Sequence, residues 1–239
     1  MTRRPALVAA SHGTSSPDGQ AAVAALVDAV RRRAPKLVVA DAFVDVQQPD
    51  VASVLDGLGL EHEAVVVPLL LSAGYHVHVD LADAVAGAEH GPALAAAMGP
   101  DDRLVDVLVA RLREVGLRID DRVVLAAAGS SDARAVADCR IVGRRLAERL
   151  GAPVAVGFLS AARPSLADAV ARTRATHPVS RVVVSSYLLA PGYFHDLAAS
   201  VGAVTTAPLL VPDAPPPTPL VDLVLDRHRR AAVAFNRAA

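Results

Sequence analysis

The residues best placed to do chemistry are His12, Asp45 and His76. Each follows a short apolar run that reads as a buried strand: Ala6–Ser11 before His12, Leu37–Val44 before Asp45, and Ala64–Leu71 before the turn Gly74-Tyr75-His76. Two imidazoles and a carboxylate suit a borderline divalent ion such as Fe²⁺, Co²⁺, Ni²⁺ or Zn²⁺. Imidazole also titrates near neutral pH and can take a proton from a ligand. The set can hold a metal, accept protons, or do both in sequence. Singly, each residue also reads as an ordinary strand-end histidine, a capping carboxylate or part of a polar loop. At three neighbouring strand ends, they read together as a site.

The elements that must position them alternate along the chain. Gly13 lets the backbone turn sharply after the first strand, and Thr14, Ser15 or Ser16 can cap the helix that Gly19–Ala34 predicts. Arg31-Arg32-Arg33 suit the negative end of that helix, and Pro35 stops it. Further helices are expected at Pro49–Leu58, His78–Ala88 and Asp101–Val115, and a weaker strand at Ala93–Met98. Such alternation implies right-handed crossovers and a parallel sheet covered on both faces. In open sheets of this kind ligands bind at the carboxyl edge, where His12 is placed.

The pattern then repeats. Val123–Ala128 precedes Gly129-Ser130-Ser131 as the first strand precedes Gly13, and Val154–Phe158 and Val182–Leu189 repeat the second and third strands. The landmarks Gly13/Gly129, Phe43/Phe158 and Gly74/Gly192 are 116, 115 and 118 residues apart. We read two similar α/β halves, 1–118 and 119–239, each with a parallel sheet of about four strands. The equivalents of His12, Asp45 and His76 are Ala128, Ser160 and Phe194. A structural role would be needed in both copies, so the asymmetry favours function in the first half only.

Composition narrows the partners. The chain has 239 residues, 53% hydrophobic, with net charge −1, no Trp and 3% aromatics. No global field draws nucleic acid or an anionic membrane, and no apolar stretch is long enough to span a bilayer. Arg3-Arg4 precede an apolar run too short for a signal-peptide core, so a cytoplasmic protein is expected. The lone Cys139 excludes an internal disulfide and a multi-cysteine metal site, and reads as a small buried hydrophobe. No Gly-x-Gly-x-x-Gly or P-loop motif follows a strand, so no ATP or other nucleotide is expected. A non-haem iron oxygenase fits poorly, because its close His-x-Asp pattern occurs only at His78-Val79-Asp80, at a helix start. His195 is a possible cleft residue. His62, His90, His177 and His228 read as ordinary loop or helix-end residues.

Ser11-His12-Gly13-Thr14, Ala42-Phe43-Val44-Asp45 and Leu71-Ser72-Ala73-Gly74-Tyr75-His76-Val77 resemble, in order and spacing, the class II tetrapyrrole chelatases. More closely, they look like sirohydrochlorin chelatases of the two-half bacterial type, and the resemblance spans almost the whole chain. The resemblance implies two flavodoxin-like, three-layer halves facing across a cleft, in a monomer with pseudo-twofold halves. It implies insertion of a divalent metal, Fe²⁺ or Co²⁺ with Ni²⁺ also compatible, into sirohydrochlorin for sirohaem or cobalamin synthesis. The metal is a substrate in that reaction, and two pyrrole protons are released. His12 and His76 match the family's metal-binding and proton-accepting histidines. Asp45 stands where the family has a glutamate, so coordination and a water-mediated or proton-relay role are both open. Ser11, Gly13, Thr14, Ser15, Ser72, Gly74, Tyr75 and Ser130 are the expected substrate-binding residues, with Arg134 and Arg163 as candidate carboxylate partners. The rival is a tetrapyrrole or metal carrier without turnover.

Overall fold

The computed structural model describes residues 5–59, 63–72, 75–88 and 91–238, with side chains throughout except at 75–80 and 235–238. Two four-stranded sheets, each wholly parallel, form in chain order. The first contains β1 (Ala6–Ser11), β2 (Val39–Phe43), β3 (Ala64–Pro68) and β4 (Ala93–Leu94) in the order β2-β1-β3-β4. The second contains β5 (Arg122–Ala127), β6 (Val154–Phe158), β7 (Val182–Tyr187) and β8 (Val204–Thr205) in the order β6-β5-β7-β8. In each sheet the chain steps to one side of its first strand and then crosses to the other. The reversal point is therefore β1/β3 in one half and β5/β7 in the other, where a ligand crevice opens outside the carboxyl ends.

The helices are α1 (Pro17–Arg33), α2 (Val51–Leu58), α3 (Tyr75–Gly87), α4 (Asp102–Glu114), α5 (Ala133–Leu150), α6 (Leu166–Thr176), α7 (Tyr193–Ala199) and α8 (Thr218–Ala238). Ser16 caps α1 by accepting the Gly19 N–H at 3.2 Å, and Pro17 opens the helix where its missing N–H costs nothing. Because β1 is buried on both faces, its residues divide by parity rather than by polarity. Leu7 and Ala9 join the core between the two sheets, with Leu26 and Val30 of α1. Val8 and Ala10 join a separate outer core, with Leu55 of α2 and Leu81 of α3. Strand β5 divides in the same way, with Val124 and Ala126 packing outward against α6.

The halves of the sequence are not the units of packing. Helix α4, at the end of the first half, packs on α5 and β7, and α8, at the end of the second, packs on β3, β4 and α1. Their apolar residues Leu104, Leu108, Leu112, Leu220, Leu223 and Val224 are fully buried in the shared core. Two arginines lock the exchange. Arg111 of α4 donates to the carbonyls of Pro208 and Leu209, each at 3.0 Å. Arg227 of α8 donates to those of Ala97 and Met98, each at 2.8 Å. His228, inside α8 rather than at a helix end, is buried with Nε2 2.9 Å from the Pro5 carbonyl.

Three local expectations change. Strand β3 ends at Pro68 rather than Leu71, and Leu69–Ser72 continue over the crevice as loop. The fourth strand shrinks to Ala93–Leu94. Helix α3 begins at Tyr75 rather than His78, so positions 76 and 78 lie two apart in a helix. Such positions do not share a face of the helix.

Candidate functional site

The two reversal points face one another across a cleft of about 560 Å³. His12, first residue beyond β1, is exposed on its wall, while Ser11 beneath it is buried. The turn that presents His12 is made possible by Gly13 at φ +90°, where a Cβ would lie 2.0 Å from the Asp45 carbonyl oxygen. Only glycine fits there. The Asp45 N–H donates to the His12 carbonyl at 3.0 Å, so the ends of β1 and β2 are laced together at the site.

Around that turn the polar groups are already organised. The Thr14 N–H donates to Gln47 Oε1 at 3.0 Å, and Thr14 Oγ1 accepts the Ser16 N–H at 3.1 Å. Ser130 does the same in the second half, its Oγ accepting the Asp132 N–H at 3.0 Å. The acceptor capacity of these hydroxyls is thus used locally, while each O–H remains a donor for a ligand carboxylate. The cleft is lined by seven expected residues: His12, Ser11, Gly13, Thr14, Ser15, Ser72 and Ser130.

Other expected residues stand differently. Asp45 is exposed, with Oδ1 accepting the Val46 N–H at 2.7 Å, and the residues of its loop that line the cleft are Val46 and Gln47. Gly74 lies outside the described residues. Tyr75 and His76 open α3, but their side chains lie outside the described set, as does that of His78. Among the described side chains no group of three or more His, Cys, Asp or Glu is set to hold a metal. Arg134 pairs with Asp132 at 3.3 Å, and Arg163 lies 3.7 Å from Asp168; neither lines the cleft.

The second half supplies the rest of the lining: Cys139 and the loop after β7 were not expected here, whereas His195 stands in the cleft as expected. Cys139 of α5 lines the cleft beside Ser72, and burial pushes its thiol up to about 11, so it is a neutral wall residue at pH 7. His195 lines the cleft with Nδ1 3.2 Å from Ser186 Oγ, and its burial lowers its pKa, which favours the neutral imidazole. The loop after β7 closes over α1: a Cβ on Gly19 would meet the Pro191 carbonyl at 2.5 Å. Leu188, Leu189 and Ala190 then run to Tyr193 and Phe194, giving this wall an apolar character. The matching Leu188–Tyr193 and Leu70–Tyr75 runs were the available signal. Their meaning became visible only when β7 was placed opposite β1.

Comparison with known proteins agrees with this arrangement. SirB from Bacillus subtilis with Fe³⁺ superposes with a TM-score of 0.79 at 20% identity, covering 98% of this chain and 97% of that one. Sirohydrochlorin chelatase SirB from Bacillus subtilis subspecies spizizenii, in complex with cobalt, gives 0.74 at 18% identity, covering 96% of each chain. CbiX, described as the terminal enzyme for biosynthesis of sirohaem in denitrifying bacteria, gives 0.65 at 20% identity, with 93% of this chain and 99% of that one covered. No curated protein matches the sequence significantly. The CbiX family model matches residues 6–115 and 122–207. The chain belongs to the CbiX family, a class II chelatase family.

Proposed function

We propose that the protein inserts a divalent metal, Fe²⁺ or Co²⁺, into sirohydrochlorin without ATP, in the cytoplasm and as a monomer. The observation that carries the proposal is His12, exposed at the β1/β3 reversal point on the wall of a largely apolar cleft whose second-half equivalent position is Ala128. The iron and cobalt found with two relatives of the same fold support a metal substrate.

In this reading the metal approaches His12 and His76 from solvent, and the macrocycle lies in the cleft above them. Two pyrrole N–H bonds break as the metal binds the four ring nitrogens, and both protons leave. A neutral imidazole is a competent acceptor for one of them at pH 7. Asp45, exposed one strand over, serves through water as a relay to solvent. The carboxylates at the macrocycle's edge meet the O–H donors of Thr14, Ser15, Ser72 and Ser130, with backbone amides at the starts of α1 and α5. Gly13 shapes the turn that presents His12, and Gly74 and Tyr75 belong to the proposed substrate-binding set.

The test is an anaerobic, ATP-free absorbance assay of metal-free sirohydrochlorin with Fe²⁺ and Co²⁺ in competition. Multiple turnovers by wild type, and their loss in His12→Ala, are the expected result. A carrier would bind metal and macrocycle stoichiometrically and stop after one equivalent.

A further inference from the structure

We infer that the start of α7 is an aromatic platform for one face of the macrocycle, with Phe194 and Tyr193 as substrate-positioning residues. This rests on the chelatase reading and goes beyond it by giving the second half a task. The chain has four Phe, three Tyr and no Trp. Two of these seven stand side by side on the cleft wall, ring centroids 5.6 Å apart and tilted by 57°. Tyr193 is 72% and Phe194 36% exposed, whereas Phe158 and Tyr187 are 1% and 2% exposed. An exposed aromatic is common; an adjacent exposed pair at the mouth of an apolar cleft is a binding feature.

Their place in the repeat sharpens the point. Helices α3 and α7 both begin on a tyrosine, Tyr75 and Tyr193, so Phe194 occupies the position that His76 holds in the first half. The two halves thus offer the ligand different chemistry from equivalent positions: an imidazole for metal on one side, a ring for a conjugated face on the other. A tetrapyrrole has this division built in, with flat apolar faces and carboxylates confined to its edge. Leu188, Leu189 and Ala190 extend the apolar wall from β7 to Phe194, and the hydroxyl donors Thr14, Ser15 and Ser130 lie along the rest of the cleft. A face laid on α7 leaves the opposite face turned towards His12.

The experiment titrates metal-free sirohydrochlorin into wild type, F194A, F194L, F194W and H12A, followed by absorbance, with metal-insertion kinetics in parallel. Stacking on an aromatic ring of this kind sets an expected weakening of about tenfold in F194A. KM for the macrocycle should rise by a similar factor, with kcat within about threefold and with Fe²⁺ or Co²⁺ binding in the absence of macrocycle unchanged. F194W should restore binding. F194L keeps the apolar bulk, so an unchanged melting temperature with several-fold weaker binding separates loss of the ring from loss of the fold. Equal affinity in wild type, F194A and F194L would overturn the platform alone. Failure of wild type to bind the macrocycle would overturn the chelatase reading, and the platform with it. H12A should lose metal insertion while still binding the macrocycle, which separates the metal side from the platform.

Discussion

The first half ends its two central strands in His12 and in the run towards His76, with Asp45 beyond β2; the second ends the same strands with Ala128, Ser160 and the run towards Phe194. The scaffolds beneath are closely matched. Gly13 and Gly129 turn at φ +90° and +92°, and a Cβ on either would lie 2.0 Å from the carbonyl oxygen of Asp45 or Ser160. The loops beyond β2 and β6 place Val46 and Ala161 at φ +64° and +49°. The backbone at these strand ends is therefore what the fold needs twice, and the ionisable side chains are what one copy adds. Moving the imidazole tests this most severely. With His12 as the proposed general base and metal ligand, His12→Ala should lower insertion by at least about 100-fold. Ala128→His should leave the rate near wild type, and H12A/A128H should stay inactive, because Ser160 and Phe194 provide no second ligand beside it. Rescue by the double variant in the absorbance assay would show that the halves are interchangeable and break the comparison.

The complementary test attacks what the halves share. Gly13→Ala and Gly129→Ala each force a side chain into a left-handed turn and against a backbone oxygen, costing at least about 3 kcal/mol. For a chain of this size each should lower the melting temperature by roughly 6–12 °C. Similar losses would establish that both turns are structural. A tolerated G129A beside a damaging G13A would mean that the second turn is not held to the same geometry.

Much of this was legible in the residues. Buried strands announce themselves as short Val/Ala/Leu runs, and the duplicated order of Gly, Phe and Gly landmarks marks the repeat, with Gly13, Gly129 and Gly192 all held at positive φ. His12 was legible because it interrupts such a run. The Asp45 carboxylate was not, since the Val46 N–H that it accepts depends on a left-handed turn that no residue type signals; valine is a poor occupant of that region. The exchange of α4 and α8 was also hidden. Amphipathic periodicity reveals that a helix has an apolar face, but not which sheet covers it. Cys139 was rightly read as buried, yet only packing shows that its wall is the cleft's.

That exchange gives a third comparison, between its two locks. Arg227 is bound to two carbonyls and to Asp101 at 3.3 Å, with Arg103 bridging Asp101 and Asp226 beside it. Burial alone would raise the Asp101 carboxyl, but hydrogen bonds from Arg103 and the Arg227 charge outweigh it and hold it below the usual carboxylate range. Arg111 has two carbonyls and the half-exposed Glu114. Arg227→Ala should therefore cost about 3 kcal/mol and Arg111→Ala about 2 kcal/mol. A carboxyl with depressed folded pKa stabilises above its unfolded pKa, and that contribution is lost as pH falls through the folded value. The difference between R227A and wild type in thermal melts should accordingly shrink below about pH 4. A gap that persists at pH 2 would assign the lock to the carbonyl contacts alone.

The smallest expected effect concerns a contact made in one direction only. Tyr187, at the end of β7, is 2% exposed and donates its O–H to the Leu71 carbonyl at 2.9 Å. The strand registers make its first-half counterpart Leu69, which has no hydroxyl to return the contact. The second half thus pins the loop that leads from β3 towards Ser72 and α3. Burial raises the Tyr187 pKa, so the hydroxyl stays protonated and remains a donor through the range in which the protein is folded. Tyr187→Phe keeps the ring and removes the partner of a partly buried carbonyl, costing about 1 kcal/mol and lowering the melting temperature by roughly 2–4 °C. Hydrogen exchange should quicken at the Leu71 and Ser72 amides but not at Leu189 and Ala190, because the tether runs from the second half to the first. Equal quickening on both sides would mean that Tyr187 acts through general packing, and would remove the pinned loop from the list of differences between the halves.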